Sequence, residues 1–265
     1  MPKQVTVTPF QPYIVLKTKN YQKLQKTDLG ISHFYEFSMG QKQNAIDAVP
    51  DGSIDLLFNI GTREVHTYLS GTVFQAKHWT MGEEDTCFGV RFQPGQGILP
   101  KELTMDMLVN KDILIDGNLF GDHLEEKIAQ ASGLQERADI FVHSYEKMLE
   151  QMQEENGKKN LETYVRKRIY ETLGTITMNE LARETNYSPC YIRRIFKQYQ
   201  GISPKQFAKI IRFQYLLQVL HQNENRNEMV AQLCGYFDEA HMMKDFKVNT
   251  GVTMEQYKQM MGICQ

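Results

Sequence analysis

The sequence is poor in the features that mark several common protein classes. Its 265 residues include four cysteines, Cys87, Cys190, Cys234 and Cys264, none in a Cys-x-x-Cys pair. Neither a zinc site nor a disulfide framework is signalled, and reduced thiols are expected. No apolar stretch approaches the ~18–20 residues of a membrane span. The opening Met-Pro-Lys-Gln-Val-Thr lacks the apolar core of a signal peptide. A cytoplasmic protein without a membrane partner is expected. Low-complexity runs are absent, and the single tryptophan is Trp79.

Strong charge of one sign is also missing. The formal net charge is −2, but it is unevenly divided. Residues 1–159 carry 16 Lys+Arg against 22 Asp+Glu, or −6, while residues 160–265 carry 14 against 10, or +4. The C-terminal part is the candidate for a polyanion partner. The length suits two domains, each able to bury its own core. Asn156-Gly-Lys-Lys-Asn160 is polar, contains glycine and falls where the charge changes sign. A boundary there gives domains at 1–155 and 160–265.

The first domain reads as β over residues 5–95. Tyr13–Leu16, His33–Phe37, Ile54–Phe58, Val65–Leu69 and Cys87–Phe92 are short apolar or alternating runs separated by turn residues such as Pro50-Asp-Gly52. Strands at this spacing suggest a sandwich or barrel. Over 119–155 the period becomes helical, with Leu124, Ile128 and Ala131 on one stripe and Ile140, Phe141, Tyr145, Met148 and Met152 on another. That second stripe suits packing on the β-domain or a seam between two chains.

The second domain reads as helical throughout. Leu161, Val165, Ile169 and Leu173 form one face of a helix ending at Gly174. Thr177-Met-Asn-Glu180 is a capping box that opens a second helix. Asn186 suits a left-handed turn. Ser188 and Pro189 then suit the N-cap and first position of a third helix. In it Ile192, Ile195 and Phe196 face a core, and Arg193, Arg194 and Lys197 face outward. Helix, tight turn and second helix make a helix-turn-helix, whose second member enters the major groove.

The motif occurs twice. Ala182, Asn186 and Tyr187 are matched by Ala231, Gly235 and Tyr236 at an offset of 49. Phe196-Lys197, Gly201, Ile202 and Ser203 are matched by Phe246-Lys247, Gly251, Val252 and Thr253 at an offset of 50, so the second turn holds one added residue. Between the copies, residues 203–221 are apolar on several sides, the pattern of a helix buried on several sides. A rod carrying one reading helix at each end is expected, spanning major grooves ~34 Å apart.

These motifs closely resemble the DNA-binding region of the AraC/XylS family of bacterial transcription regulators. The carriers are Met-Asn-Glu-Leu-Ala at 178–182, Tyr-Ser-Pro-x-Tyr-Ile-Arg-Arg-Ile-Phe-Lys at 187–197, Gly-Ile-Ser-Pro at 201–204 and Gly-Tyr-Phe-Asp-Glu-Ala-His at 235–241. The N-terminal part more loosely resembles a domain found ahead of such regions, through residues 49–58 and Phe88-Gly-Val-Arg-Phe-Gln-Pro-Gly95. The resemblance implies an α+β two-domain chain, with an N-terminal cupin-like β-barrel and dimerisation helices ahead of an all-α pair of helix-turn-helix motifs. It implies transcription regulation on double-stranded DNA, with activator the expected mode although no residue separates activation from repression. A homodimer, a small-molecule effector in the β-domain and RNA polymerase are the other implied partners. A ligand-independent regulator, whose N-terminal domain serves only oligomerisation or protein contacts, is the alternative.

Carried over by position, the DNA-contacting residues are Ser188, Cys190, Arg193, Arg194 and Lys197 in the first copy. In the second they are Glu239, Ala240, Met243, Lys244 and Lys247. Arginine suits guanine because its guanidinium donates two bonds to O6 and N7. Met243 can make only apolar contacts, so Arg193 and Arg194 are expected to hold most base specificity.

In the β-domain, Tyr35, Trp79 and Arg91 are the candidate effector residues. Arg91 could anchor an anion or pair with Asp51 or Asp55, and the pairing is favoured. No cofactor or metal is expected, because His33, His66 and His78, with Glu83 and Glu84 near the last, lack ligand spacing. No catalytic residue is assigned. Asp51 and Asp55 come without a nucleophile, and Cys87 alone before residue 190 does not suit an alkyl-transfer repair domain.

Overall fold

The computed structural model describes residues 7–38, 45–62, 64–80, 86–151, 156–222 and 226–263, apart from the side chains of 15–17, 45, 46, 79, 80, 156 and 157. The first element among the described residues is a short helix, α1 (Pro12–Lys17), followed by β1 (Lys19–Gln25), β2 (Ile31–Ser38), β3 (Ala45–Ala48), β4 (Asp55–Ile60), β5 (Val65–Ser70), β6 (Lys77–Thr80) and β7 (Thr86–Phe92). After α2 (Met105–Leu108), β8 (Asp112–Ile115) and a 3-10 turn come α3 (Leu124–Gln130) and α4 (Leu134–Glu150).

Six strands form one antiparallel sheet in the order β1-β2-β7-β4-β5-β8, and β3 pairs with β6 separately. Side chains alternate across the sheet with period two. Phe34, Phe58, Phe88 and Phe92 face α3 and α4, and Phe141 and Tyr145 of α4 pack on them. Tyr35, Phe37, Leu57 and Cys87 face the other way.

The sheet is open, which corrects the expected closed barrel. No pairing joins β1 to β8 among the described residues. The physical reason lies in the two faces and in β1. Helices α3 and α4 cover one face and Ile14 of α1 packs against the other, so closure is not needed to bury apolar surface. β1 presents lysine and glutamine at an exposed edge, a pattern that resists further pairing.

One local reading is also corrected. Tyr13–Leu16 is helical rather than extended, because Pro12 supplies a first helical position and an apolar run this short fits either state. The polar segment 156–160, where the domain boundary was expected, forms the start of a helix, α5 (Asn156–Glu171). Helix α4 buries Ala138, Phe141 and Tyr145 against its own sheet, so that face is used within the chain.

The C-terminal part continues with α6 (Met178–Thr185), α7 (Pro189–Gln200), α8 (Pro204–Gln222), α9 (Asn227–Leu233), α10 (Glu239–Thr250) and α11 (Met254–Met261). Helix α8 is the rod, with Phe207, Ile211, Phe213, Leu216 and Leu217 each at most 1% exposed. It is buried by both helix-turn-helix units and also by the β-domain. Gln214 accepts from Phe10 N at 2.8 Å and donates to Pro50 O at 2.7 Å. Gly174 has φ +77°, and a Cβ there would lie 2.1 Å from Ala208 O of α8, so a side chain would push α5 and α8 apart.

Candidate DNA interface

The first unit is built by local signals. Thr177 and Glu180 form the capping box of α6. Asn186 turns the chain at φ 57°, in the left-handed region that asparagine tolerates. The Ser188 hydroxyl accepts from Tyr191 N, and Pro189 occupies the first turn of α7. Ile192, Ile195 and Phe196 are buried, with the Phe196 ring 5.5 Å from that of Phe207 on α8. Cys190, Arg193, Arg194 and Lys197 are therefore exposed together on the opposite side. The Arg194 guanidinium lies 5.1 Å from the Tyr191 ring, which itself stacks on Tyr187. No carboxylate pairs with Arg193 or Arg194 among the described residues.

The second unit repeats this plan. Helices α7 and α10 have 12 residues each, 50 apart. Gly235, at φ 69°, stands where the first turn has Asn186. Asp238 caps α10 by accepting from His241 N at 2.7 Å. Met242 and Phe246 are buried at the positions of Ile192 and Phe196. Where the first copy buries Ile195, the second has Asp245, which accepts from Tyr236 Oη at 2.9 Å.

Ala240, Met243, Lys244 and Lys247 are exposed on α10. Glu239 is half-buried and accepts from Asn227 Nδ2 at 3.1 Å, so one of its oxygens is already engaged. The residue added in the second turn is Phe237, 91% exposed beside the start of α10. Residue-type reasoning passed over it. The offset change from 49 to 50 was the signal that could have found it.

The β-domain holds equivalent ends of both reading helices. At the end of α7, Gln200 Nε2 donates to Gly95 O at 2.9 Å. At the end of α10, Thr250 O accepts from Tyr13 Oη at 3.1 Å. Among the described residues, no hydrogen bond from the β-domain reaches the N-terminal ends of α7 and α10, which carry the caps Ser188 and Asp238.

On the sheet face opposite α4 lies a cavity of about 60 Å³, lined by Tyr35, Asp51, Ser53, Asp55, Ser70 and Arg91 among others. Arg91 Nε and Nη2 donate to the Asp55 carboxylate at 2.8 and 2.6 Å, and Nη1 lies 3.1 Å from Asp51. The arginine is thus neutralised twice over, as its structural alternative requires. Burial holds the Asp51 carboxyl above the usual range, with the Arg91 charge opposing that rise. Burial likewise pushes the Tyr35 hydroxyl well up. Ser53 and Ser70 each contribute a buried hydroxyl with no hydrogen-bond partner among the described residues. The Trp79 side chain lies outside the described residues.

The histidines do not meet. His33 is buried against Ser32, with its pKa lowered to about 2 by burial and then by the Arg91 and Lys23 charges. His66 stands 3.7 Å from Glu64, and His78 contacts Asp47. Glu83 and Glu84 lie outside the described residues. No group of three metal-ligating side chains forms among the described residues.

Two capped helix-turn-helix units on one buried rod, with unpaired arginines facing outward, define the class: a bipartite DNA-binding module. A model described as a helix-turn-helix domain matches residues 181–260. An uncharacterised HTH-type transcriptional regulator of Bacillus subtilis (strain 168), YtdP, is 27% identical over 84 residues, 32% of this chain. That match spans only 11% of the relative's own length. Among solved structures, the C-terminal domain of AraT, a response regulator from Geobacillus stearothermophilus, is 26% identical, with a TM-score of 0.34. It covers 38% of this chain and 83% of that one. ToxT from Vibrio cholerae is 12% identical, with a TM-score of 0.41, covering 91% of this chain and 97% of that one. No helix among the described residues is long and apolar enough to cross a membrane.

Proposed function

We propose that this protein is a sequence-specific, DNA-binding transcription regulator of the cytoplasm, working as a homodimer that contacts RNA polymerase and answers to a small-molecule effector. The observation that carries the DNA reading is the exposed pair Arg193 and Arg194 on a helix fixed at its cap and its buried face. Arg193 and Arg194 read guanines, and Met243 and Phe237 offer apolar surface to thymine methyl groups. Ser188, Cys190, Ala240, Lys197, Lys244 and Lys247 position the helices, the lysines through phosphate contacts. Glu239, engaged by Asn227, orders the start of α10.

Effector control is supported by the cavity beside Tyr35 and Arg91 and by its route to the rod. Asp51 lines the cavity, and the neighbouring Pro50 O bonds Gln214 of α8. The test is selection of bound sites from a random duplex pool by the wild type and by Arg193→Ala. The wild type is expected to enrich one bipartite motif whose first half Arg193→Ala relaxes. Equal weakening on selected and random DNA would assign Arg193 to phosphates instead.

A further inference from the structure

Lys205, Lys209 and Arg212 stand at i, i+4 and i+7 of α8, so they share one side of the rod, a side that the apolar pattern of the helix does not explain. They line a groove of about 440 Å³ with Arg193 of the first reading helix and with Thr175 and Thr177 ahead of α6. None of the described residues lining it is acidic. Lys205 and Lys209 are exposed, and neither forms an ion pair among the described residues. Arg212 is half-buried, with its guanidinium 4.6 Å from the Tyr236 ring and Nη1 3.5 Å from Gly235 O. Its Nε is buried without a hydrogen-bond partner among the described residues. Thr175 Cγ2 would lie 2.5 Å from a Cβ on Gly235, so the loop ahead of α6 meets the turn of the second unit. The groove thus starts at one reading helix and ends at the turn that precedes the other.

We infer that this groove is a backbone-binding site for the stretch of duplex between the two half-sites, with Lys205, Lys209 and Arg212 facing its phosphates. This rests on the DNA-binding reading above and adds a third contact surface between the two helices. Four cations without a counter-carboxylate repel one another, and a row of phosphates supplies the missing charge at the spacing of a rod laid along DNA. Each side chain is a phosphate contact, so the groove contributes affinity and register but no base preference.

The test is the salt dependence of binding to a fluorescein-labelled, random-sequence 30-bp duplex, measured by anisotropy from 50 to 200 mM KCl. Lys205→Gln with Lys209→Gln is expected to make the log–log slope shallower by roughly 1.8, since each lost phosphate contact removes ~0.9, and to weaken binding at least about tenfold at 100 mM. Lys205→Arg with Lys209→Arg should keep the wild-type slope. A control pair on the β-domain and its helices, Lys101→Gln with Lys147→Gln, removes the same net charge and should change the slope little. An unchanged slope in the α8 glutamine variant, or an equal loss in the control, would overturn the groove while leaving duplex binding intact. Wild-type protein that fails to bind the duplex at 50 mM would overturn the DNA-binding reading and the groove together.

Discussion

Replacing Arg91 by methionine tests whether charge, and not packing, holds the sheet to the loop that contacts α8. In the wild type the guanidinium reaches Asp55 at 2.8 and 2.6 Å and Asp51 at 3.1 Å. All three residues are at most 8% exposed. Methionine keeps much of the side-chain volume but leaves two buried carboxylates without a cation. Removing one partner of a buried ion pair costs about 3–5 kcal/mol. At ~2–4 °C per kcal/mol for a domain of this size, the melting temperature should fall by roughly 6–20 °C.

The deficit should also depend on pH. Burial already raises the Asp51 carboxyl, and the Arg91 charge is the main influence lowering it. Without that charge the folded-state value rises further. An acid whose folded value is raised contributes its stability at low pH and loses it as pH climbs through that value. Arg91→Met should therefore be least stable relative to wild type at pH 7–8 and should recover as pH falls towards 5. Urea denaturation at pH 5, 6, 7 and 8 reads this directly, and adding Asp51→Asn should restore part of the loss at pH 7. A deficit that is flat with pH and untouched by Asp51→Asn would refute the charge argument. The loss would then belong to the contact of Arg91 with the Tyr35 ring, at 5.7 Å.

Three further outcomes follow from particular contacts. Asn186→Val should cost about 1–2 kcal/mol, because a β-branched residue is strained at φ 57°, while Asn186→Gly, the residue the second turn uses, should be tolerated; thermal melting separates the two. His33→Asn should flatten the acid side of the stability profile. The wild-type histidine titrates near 6.5 unfolded and about 2 folded, so stability is lost as pH falls below 6.5, by up to ~1.4 kcal/mol per pH unit. Urea midpoints at pH 6 and 5 that fall equally in both proteins would contradict this. Gln214→Leu should cost about 1–3 kcal/mol by stranding the Phe10 amide, whose hydrogen exchange should accelerate.

The C-terminal region was legible because its determinants are local. A capping box at Thr177, a Ser-Pro start at 188 and 189, and apolar residues at helical spacing each act within one or two turns, and the structure shows each in that role. The β-domain was less legible because its missing strands are short or polar: β1 is an exposed edge rich in lysine and glutamine, and β3, β6 and β8 have four residues each. No periodic signal develops over so few positions. The pairing of Arg91 with Asp51 or Asp55 could be anticipated from a lone arginine inside an apolar strand run, which needs a counter-charge, though not that both acids would be engaged. In α8 the apolar residues were so dense that they hid the basic stripe beside them.

Duplication explains one part of the site that no local signal carries. Gln200 and Thr250 occupy the same position in the two copies, 50 residues apart, and both bond the β-domain. Their partners, Gly95 O and Tyr13 Oη, come from a domain with no repeat, through a backbone carbonyl in one case and a side-chain hydroxyl in the other. Equivalent positions in a repeat face equivalent directions, so both helix ends were bound to point the same way. What meets them depends on a surface assembled from residues 13 and 95, which only the folded sheet brings within reach. The spacing of the two reading helices is thereby tied to the β-domain at both ends, and a change in the Asp51 loop reaches the rod between them through Pro50 and Gln214.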